Sequence, residues 1–129
     1  MPPKQRIYGF RCSWSDMAVL AACVPLTWWA WRSIGVMAGV IPFAVGHFFL
    51  FCNVFRIHRR REFVWAVLAV MNVSAWTLAD ALDWRWVLAV QTPITIACVG
   101  SEMRGKRYHG IYARRVNPSL DQWLSGGQP

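Results

Sequence analysis

Charged residues are scarce in this sequence of 129 residues. Asp, Glu, Lys and Arg together make up 16% of the chain, whereas a soluble domain carries about 25%. Acidic residues are the rarest, with six Asp and Glu against 14 Lys and Arg, and hydrophobic residues reach 56%. So few charges do not suit a surface that meets water on all sides. The composition therefore excludes an ordinary soluble domain and favours an all-α integral membrane protein.

The sequence also lacks the motifs that mark enzymes and metal sites. It has no phosphate-binding loop, no dinucleotide fingerprint and no CxxC pair. Its aspartates lie at or beyond the ends of the apolar stretches, so no Ser-His-Asp set can be assembled. We expect no catalytic residue, no metal site and no nucleic-acid partner. Disulfides are not expected either, because the four cysteines fall within the predicted bilayer or on its cytoplasmic side: Cys12, Cys23, Cys52 and Cys98.

The sequence is instead made up largely of long stretches without charged residues. Four windows are free of Asp, Glu, Lys and Arg: 17–31, 33–55, 63–79 and 86–101. About 20 apolar residues cross a bilayer, and flanking Arg and Trp side chains extend shorter segments to the headgroups. The windows predict four transmembrane helices in an up-down bundle, at about 15–31, 34–55, 63–79 and 84–100. The alternative has three spans, with the first window re-entrant or interfacial.

Basic residues alternate across these windows and predict the orientation. Only Arg32 and Arg85 fall on one side. The positive-inside rule then places both termini in the cytoplasm, in a bacterial inner membrane. We expect the basic surface to bind anionic headgroups, with docking of an acidic partner as the alternative. Twelve basic residues form the predicted cytoplasmic side: Lys4, Arg6, Arg11, Arg56, Arg59, Arg60, Arg61, Arg104, Lys106, Arg107, Arg114 and Arg115.

The ends of the chain flank this bundle. Residues 1–13 are predicted to be a cytoplasmic arm, 14–101 the transmembrane bundle and 102–129 a basic cytoplasmic tail. Within the tail, Asn117 followed by proline predicts a helix start, and Leu120, Trp123 and Leu124 share one face of a short amphipathic helix at about 118–124.

Small and polar residues within the windows suggest where helices meet. Gly35 and Gly39 form a G-x-x-x-G pair that Gly46 nearly continues, and this spacing is typical of close helix packing, within the chain or with another subunit. Counting from the cytoplasmic helix ends, His47, Asn72 and Gln91 fall at one depth. We expect at least two of these three polar side chains to point inward and to hydrogen-bond across helices.

These observations favour a non-catalytic accessory subunit, which packs against a larger membrane complex and stabilises it or helps to assemble it. Its predicted partners are the lipid bilayer and other membrane subunits. One alternative is a small transporter or channel, for which only His47 offers an intramembrane ionisable group. The other is a membrane subunit that binds a haem or chlorophyll-type cofactor through His47. The sequence does not identify a cofactor.

Overall fold

The structure is a computed structural model that describes residues 6–126. Within these residues it is helical and contains no strand. Two short helices follow the longer ones near the C-terminal end of the chain. The elements, in chain order, are α1 (Trp14–Ile34), a 3-10 turn (Gly35–Gly39), α2 (Val40–Phe49), a π-helical turn (Leu50–Phe55), α3 (Arg59–Leu78), α4 (Trp84–Met103), α5 (Ala113–Val116) and α6 (Leu120–Leu124).

The first half of the chain is one long apolar helical segment that folds back on itself. Trp14–Phe55 is the single helical segment within residues 6–126 that is long and apolar enough to cross a membrane; it has 42 residues, and an 18-residue stretch of it has a mean hydropathy of 2.0. A straight helix of that length would extend about 63 Å. Yet the rings of Phe10 and Phe49 are 6.1 Å apart, and the Arg11 amide donates to the Asn53 carbonyl at 3.0 Å. The segment is therefore a hairpin.

Gly35 makes this reversal. Its φ of 57° and ψ of −134° lie outside the helical region, in a part of backbone space that side chains with a Cβ rarely enter. The sequence predicts a second helix from 34 to 55, but α1 continues to Ile34 and α2 begins only at Val40. The charge of Arg32 separates the first two windows and so predicts a reversal near residue 32, whereas the structure makes it at Gly35, three residues later.

Side-chain caps define where the long helices start. Ser13 and Asp16 form a reciprocal capping box at α1, in which the Ser13 hydroxyl accepts from the Asp16 amide and the Asp16 carboxylate accepts from the Ser13 amide. Asp83 caps α4 by accepting from the Arg85 amide at 2.9 Å. At its other end α4 continues to Met103, past the end predicted at residue 100.

The four long helical segments run alternately up and down. Helices α3 and α4 form the second hairpin, and the ion pair between Arg61 and Glu102, at 3.3 Å, joins the start of one to the end of the other. Beside them, the Trp84 indole donates to the Val36 carbonyl at 2.7 Å, so α2 and α4 start at the same end. We call this the hairpin end, and it contains Gly35 and the connection 79–83.

Aromatic packing joins the two hairpins. The Trp65 ring of α3 meets the Phe51 ring edge-on, at 5.1 Å between centroids, and lies 5.6 Å from the Phe43 ring. Elsewhere the helices expose large apolar side chains: Trp28 and Trp29 are each 66% exposed and Leu78 is 88% exposed. Burial in the bundle is therefore found where helices meet, both between the two hairpins and between α3 and α4, and the outward faces are apolar.

At the other end of the bundle, the N-terminal arm and the tail fold together into a small unit. We call it the cap, and it comprises residues 6–13, 56–58 and 104–126. The Gly9 amide donates to the His109 carbonyl at 2.8 Å, and the Ile111 amide donates to the Val54 carbonyl at 2.9 Å. Tyr108, Ala113 and Leu120 are buried in its core. The tail is thus attached to the end of the bundle as well as to the arm.

Candidate functional site

Asn72 and Gln91 form the centre of a buried polar cluster between α3 and α4. The Asn72 amide donates to the Val87 carbonyl at 2.9 Å and to Gln91 Oε1 at 3.3 Å, and it accepts from the Trp76 indole at 3.1 Å. Gln91 is fully buried, and its amide donates to the Trp65 carbonyl at 3.4 Å. Two of the three residues predicted to form a polar layer therefore bond to each other across helices.

Trp65 and Thr95 extend the cluster, and sequence reasoning did not single them out. The Trp65 indole donates to the Thr95 hydroxyl at 2.8 Å, and that hydroxyl donates to the Gln91 carbonyl at 3.0 Å. Thr95 lies one helical turn after Gln91 and therefore on the same face of α4, so this spacing could have identified Thr95 from the sequence. In residues 6–126 every buried side-chain nitrogen and oxygen has a hydrogen-bond partner. The cluster is a satisfied structural network rather than a set of reactive groups.

His47, the third predicted member of the layer, lies beside this cluster and is not hydrogen-bonded to it. Its ring stacks on the Trp65 ring at 4.5 Å, and the Phe43 ring lies 4.8 Å away. Nδ1 is 2.9 Å from the Phe43 carbonyl oxygen, one turn earlier in α2. Because His47 extends from α2, it contacts the α3–α4 hairpin at Trp65 and does not enter the interface between α3 and α4.

His47 lines an apolar groove of about 410 Å³ between α2 and α4. We call it the His47 groove. A Cβ added at Gly46 would meet no atom within 4 Å, so this part of the groove is open. At Gly39 the space is taken by the Trp84 indole, which a Cβ would overlap. The lining residues are Gly39, Pro42, Phe43, Gly46, His47, Leu50, Trp84 and Leu88.

The three predicted packing glycines thus have three different surroundings. Gly35 lies at the hairpin reversal, so it shares no helix face with Gly39, and the predicted G-x-x-x-G stripe is interrupted. Gly39 accommodates Trp84 of this same chain. A Cβ at either Gly35 or Gly46 would meet open space, but of these two only Gly46 lies within an α-helix, where open space allows close approach by a molecule outside the chain.

A second apolar groove runs along the other side of α2. Two adjoining cavities of about 460 and 240 Å³ share Ala44 of α2 and Trp65 and Ala66 of α3. We call this the alanine groove. Val19 of α1 borders it at one end. Because Ala44 and Ala66 are small and exposed, the backbones of both helices are accessible from outside.

The predicted basic surface divides into residues with internal partners and residues that face outward. Arg56 donates to the Ile7 carbonyl at 2.6 Å and so holds the N-terminal arm, while Arg61 pairs with Glu102. The Arg114 guanidinium lies over the Tyr8 ring, 5.5 Å from its centroid. Arg6 donates to the Trp123 carbonyl at 3.0 Å. The other described residues are exposed at the cap end: Arg11, Arg59, Arg60, Arg104, Lys106, Arg107 and Arg115. Lys4 lies outside the described residues.

The core of the cap has two titratable groups with shifted pKa values. Burial raises the pKa of Tyr108 to about 12, and the Tyr108 hydroxyl donates to the Ile111 carbonyl at 2.7 Å. Burial lowers the pKa of His109 from its ordinary value of 6.5. The His109 ring stacks on Trp123 at 4.5 Å between centroids. Both groups are therefore maintained in their neutral forms near pH 7.

Asn117 connects the segments of the tail. Its amide donates at 2.8 Å to the carbonyls of both Lys106 and Tyr108, and its side-chain oxygen accepts from the Ser119 amide at 3.0 Å. The sequence predicts that Asn117 starts a helix at 118. Instead the last helix begins at Leu120, although the Asn117 oxygen still accepts from the amide two residues later, as an N-cap does.

Among the described residues, no three His, Cys, Asp or Glu side chains lie close enough together to hold a metal ion. No protein-family model, curated protein or solved structure matches the chain.

Proposed function

We propose that the chain is an integral membrane protein that crosses the bilayer four times, with both termini in the cytoplasm. The distribution of charge between the two ends of the bundle supports this. At the cap end lie 11 basic residues of the described part, and the hairpin end has only Arg32 and Arg85. Asp80 and Asp83 balance those two arginines, so the hairpin end has no net charge. A positive cytoplasmic side and a neutral opposite side follow the positive-inside rule.

The lengths and faces of the helices agree with this proposal. Helices α3 and α4 each have 20 residues, and their charged side chains lie within their first or last turns. Twenty residues span about 30 Å, the thickness of a hydrocarbon core. Large side chains such as Val70 and Met71 in the middle of α3 are more than 60% exposed. In water these faces would be costly, whereas lipid solvates them.

We further propose that the protein is a non-catalytic accessory subunit of a larger membrane complex. The observation that carries this proposal is the alanine groove. Its small residues expose two helix backbones along an apolar channel, and such surfaces are where transmembrane helices pack most closely. The occupant that fits it is a transmembrane helix of another subunit.

Substitution within the groove tests this. Ala66→Leu fills the channel and should release the protein from its complex in mild detergent, while membrane insertion is unchanged. Ala89→Leu, at an exposed position of α4 that lines neither groove, is the matched control and should retain the complex. Native gel electrophoresis and mass spectrometry of the purified material provide the readout. A wild-type chain that migrates alone, or an Ala66→Leu variant that keeps the complex, would contradict the proposal.

Labelling with a membrane-impermeant maleimide tests the orientation. Cys12 is exposed at the cap end, and Ala81 is exposed in the connection 79–83. In intact cells an Ala81→Cys variant that also has Cys12→Ser should react, whereas the native Cys12 should react only after the cells are opened. Labelling of Cys12 in intact cells would reverse the proposed topology.

A further inference from the structure

The hydrogen bond of His47 determines which of its ring nitrogens is available. A carbonyl oxygen only accepts, so Nδ1 must carry the proton that it shares with the Phe43 carbonyl at 2.9 Å. In the neutral ring this leaves the lone pair on Nε2. A backbone carbonyl bonded to one imidazole nitrogen is the usual way in which a metal-ligating histidine is oriented.

Nε2 is free and accessible. No group in residues 6–126 hydrogen-bonds to it, and since no buried side-chain nitrogen or oxygen in that range lacks a partner, Nε2 must reach the surface. The Trp84 indole N–H, the other polar group of the groove, is already donated to the Val36 carbonyl. The groove thus offers one unshared lone pair within an apolar lining.

The imidazole is also rigidly positioned. Its face is stacked on Trp65 with an interplanar angle of 26°, and the Phe51 ring lies 6.1 Å from it at a steep angle. With Nδ1 anchored to the backbone as well, the ring cannot rotate without losing these contacts. Such a fixed donor is suited to axial coordination, in which the ligand must lie perpendicular to a plane.

We propose that the His47 groove binds a metallated tetrapyrrole through a single axial bond from His47 Nε2. A bare metal ion does not fit, because within residues 6–126 no three His, Cys, Asp or Glu side chains lie close enough together to hold one. A metal already held by a macrocycle needs only one further ligand. Gly46, next to His47, has no side chain, and no atom lies within 4 Å of where its Cβ would be, which leaves room for a planar ring. A groove of about 410 Å³ falls within the usual range for cofactor sites.

Absorption titration of the full chain in detergent tests this assignment, with ferric protoporphyrin IX and zinc protoporphyrin IX as probes. One equivalent should saturate the wild type and give the Soret band of a five-coordinate, histidine-ligated porphyrin. His47→Phe retains an aromatic ring on Trp65 but lacks Nε2, and should lose that band. His58→Phe, at an exposed histidine, is the matched control and should behave as wild type.

Two further variants separate coordination from hydrophobic partition. His47→Gly should regain the band when free imidazole is added, because imidazole replaces the missing ligand. Gly46→Leu preserves Nε2 but occupies the space for the ring, and should also lose the band. Equal elution volumes and circular dichroism spectra show that each variant is folded. The proposal is wrong if the wild type binds no more porphyrin than empty micelles, or if His47→Phe binds as the wild type does. Neither result bears on the alanine groove, so the proposed accessory role would stand or fall separately.

Discussion

Removal of the Asn72 side chain should destabilise the helix bundle more than removal of the Gln91 amide. Asn72→Leu eliminates three hydrogen bonds, to Val87, Gln91 and Trp76. Gln91→Met eliminates two, of 3.3 and 3.4 Å, and preserves the length of the side chain. Hydrogen bonds between membrane helices average about 0.6 kcal/mol each. The expected losses in the free energy of unfolding are therefore about 2 kcal/mol for Asn72→Leu and about 1 kcal/mol for Gln91→Met.

The two residues share one of these bonds, so their effects should not add. The double variant should be less destabilised than the sum of the single variants by about 0.6 kcal/mol, the value of the shared bond. Unfolding by SDS titration from mixed micelles measures all three variants. Thr92→Val, at an exposed position of α4, is the control and should change stability by less than about 0.5 kcal/mol. If Asn72→Leu costs no more than this control, or if the single effects add fully, the cluster does not hold the hairpin together.

Two further predictions concern the cap. Gly110→Ala should detach the tail from the bundle, because the new Cβ would overlap the Phe55 carbonyl group and approach the Tyr108 hydroxyl to 2.7 Å. Limited proteolysis measures this, and the tail should be cut faster while the helices stay intact. An unchanged rate of cleavage would refute the prediction. The pKa of His109 is lowered by burial, so the unfolded chain binds the proton more tightly. The contribution of His109 to the free energy of unfolding should therefore be fully present above about pH 6.5. It should decrease as the pH falls toward the lowered pKa. Hydrogen exchange of the Gly9 amide across this range should follow that decrease in wild type but not in His109→Phe, and an NMR titration that places the pKa of His109 at or above 6.5 would contradict the argument.

The sequence predicts the all-helical fold well, because scarce charges divide it into uniformly apolar windows. It predicts a reversal between the first two windows, at Arg32, but not that the reversal falls at Gly35, since that depends on one residue with positive φ. Four spans follow from the windows, whereas the apolar helical segment that stands out in the structure is Trp14–Phe55. The proposal that the second hairpin crosses the membrane therefore rests on the charge distribution as much as on hydropathy.

The candidate sites likewise include some features that the sequence predicts and others that it does not. Counting residues from the helix ends brings Asn72 and Gln91 to one depth, and depth is a property of sequence position. The direction of His47 depends on the rotation of α2, which is determined by contacts with Trp65 and Phe43. The fold of the tail could not be predicted from the sequence either. Its composition is polar and basic, and this does not indicate the hydrogen bonds that hold Tyr108 and Asn117 in buried positions.

The cap has a consequence for biosynthesis. Its bond between Arg6 and the Trp123 carbonyl joins residues that are 117 positions apart, so it cannot form until Trp123 has been synthesised and has left the ribosome. During synthesis the helices can pair locally, since each hairpin joins neighbours in the chain, but the arm lacks its partner until the tail emerges. Closure of the cap therefore follows the pairing of the helices. A chain shortened before residue 104 would leave the arm and the Phe55 carbonyl uncovered, and these exposed groups would distinguish an unfinished molecule from a finished one.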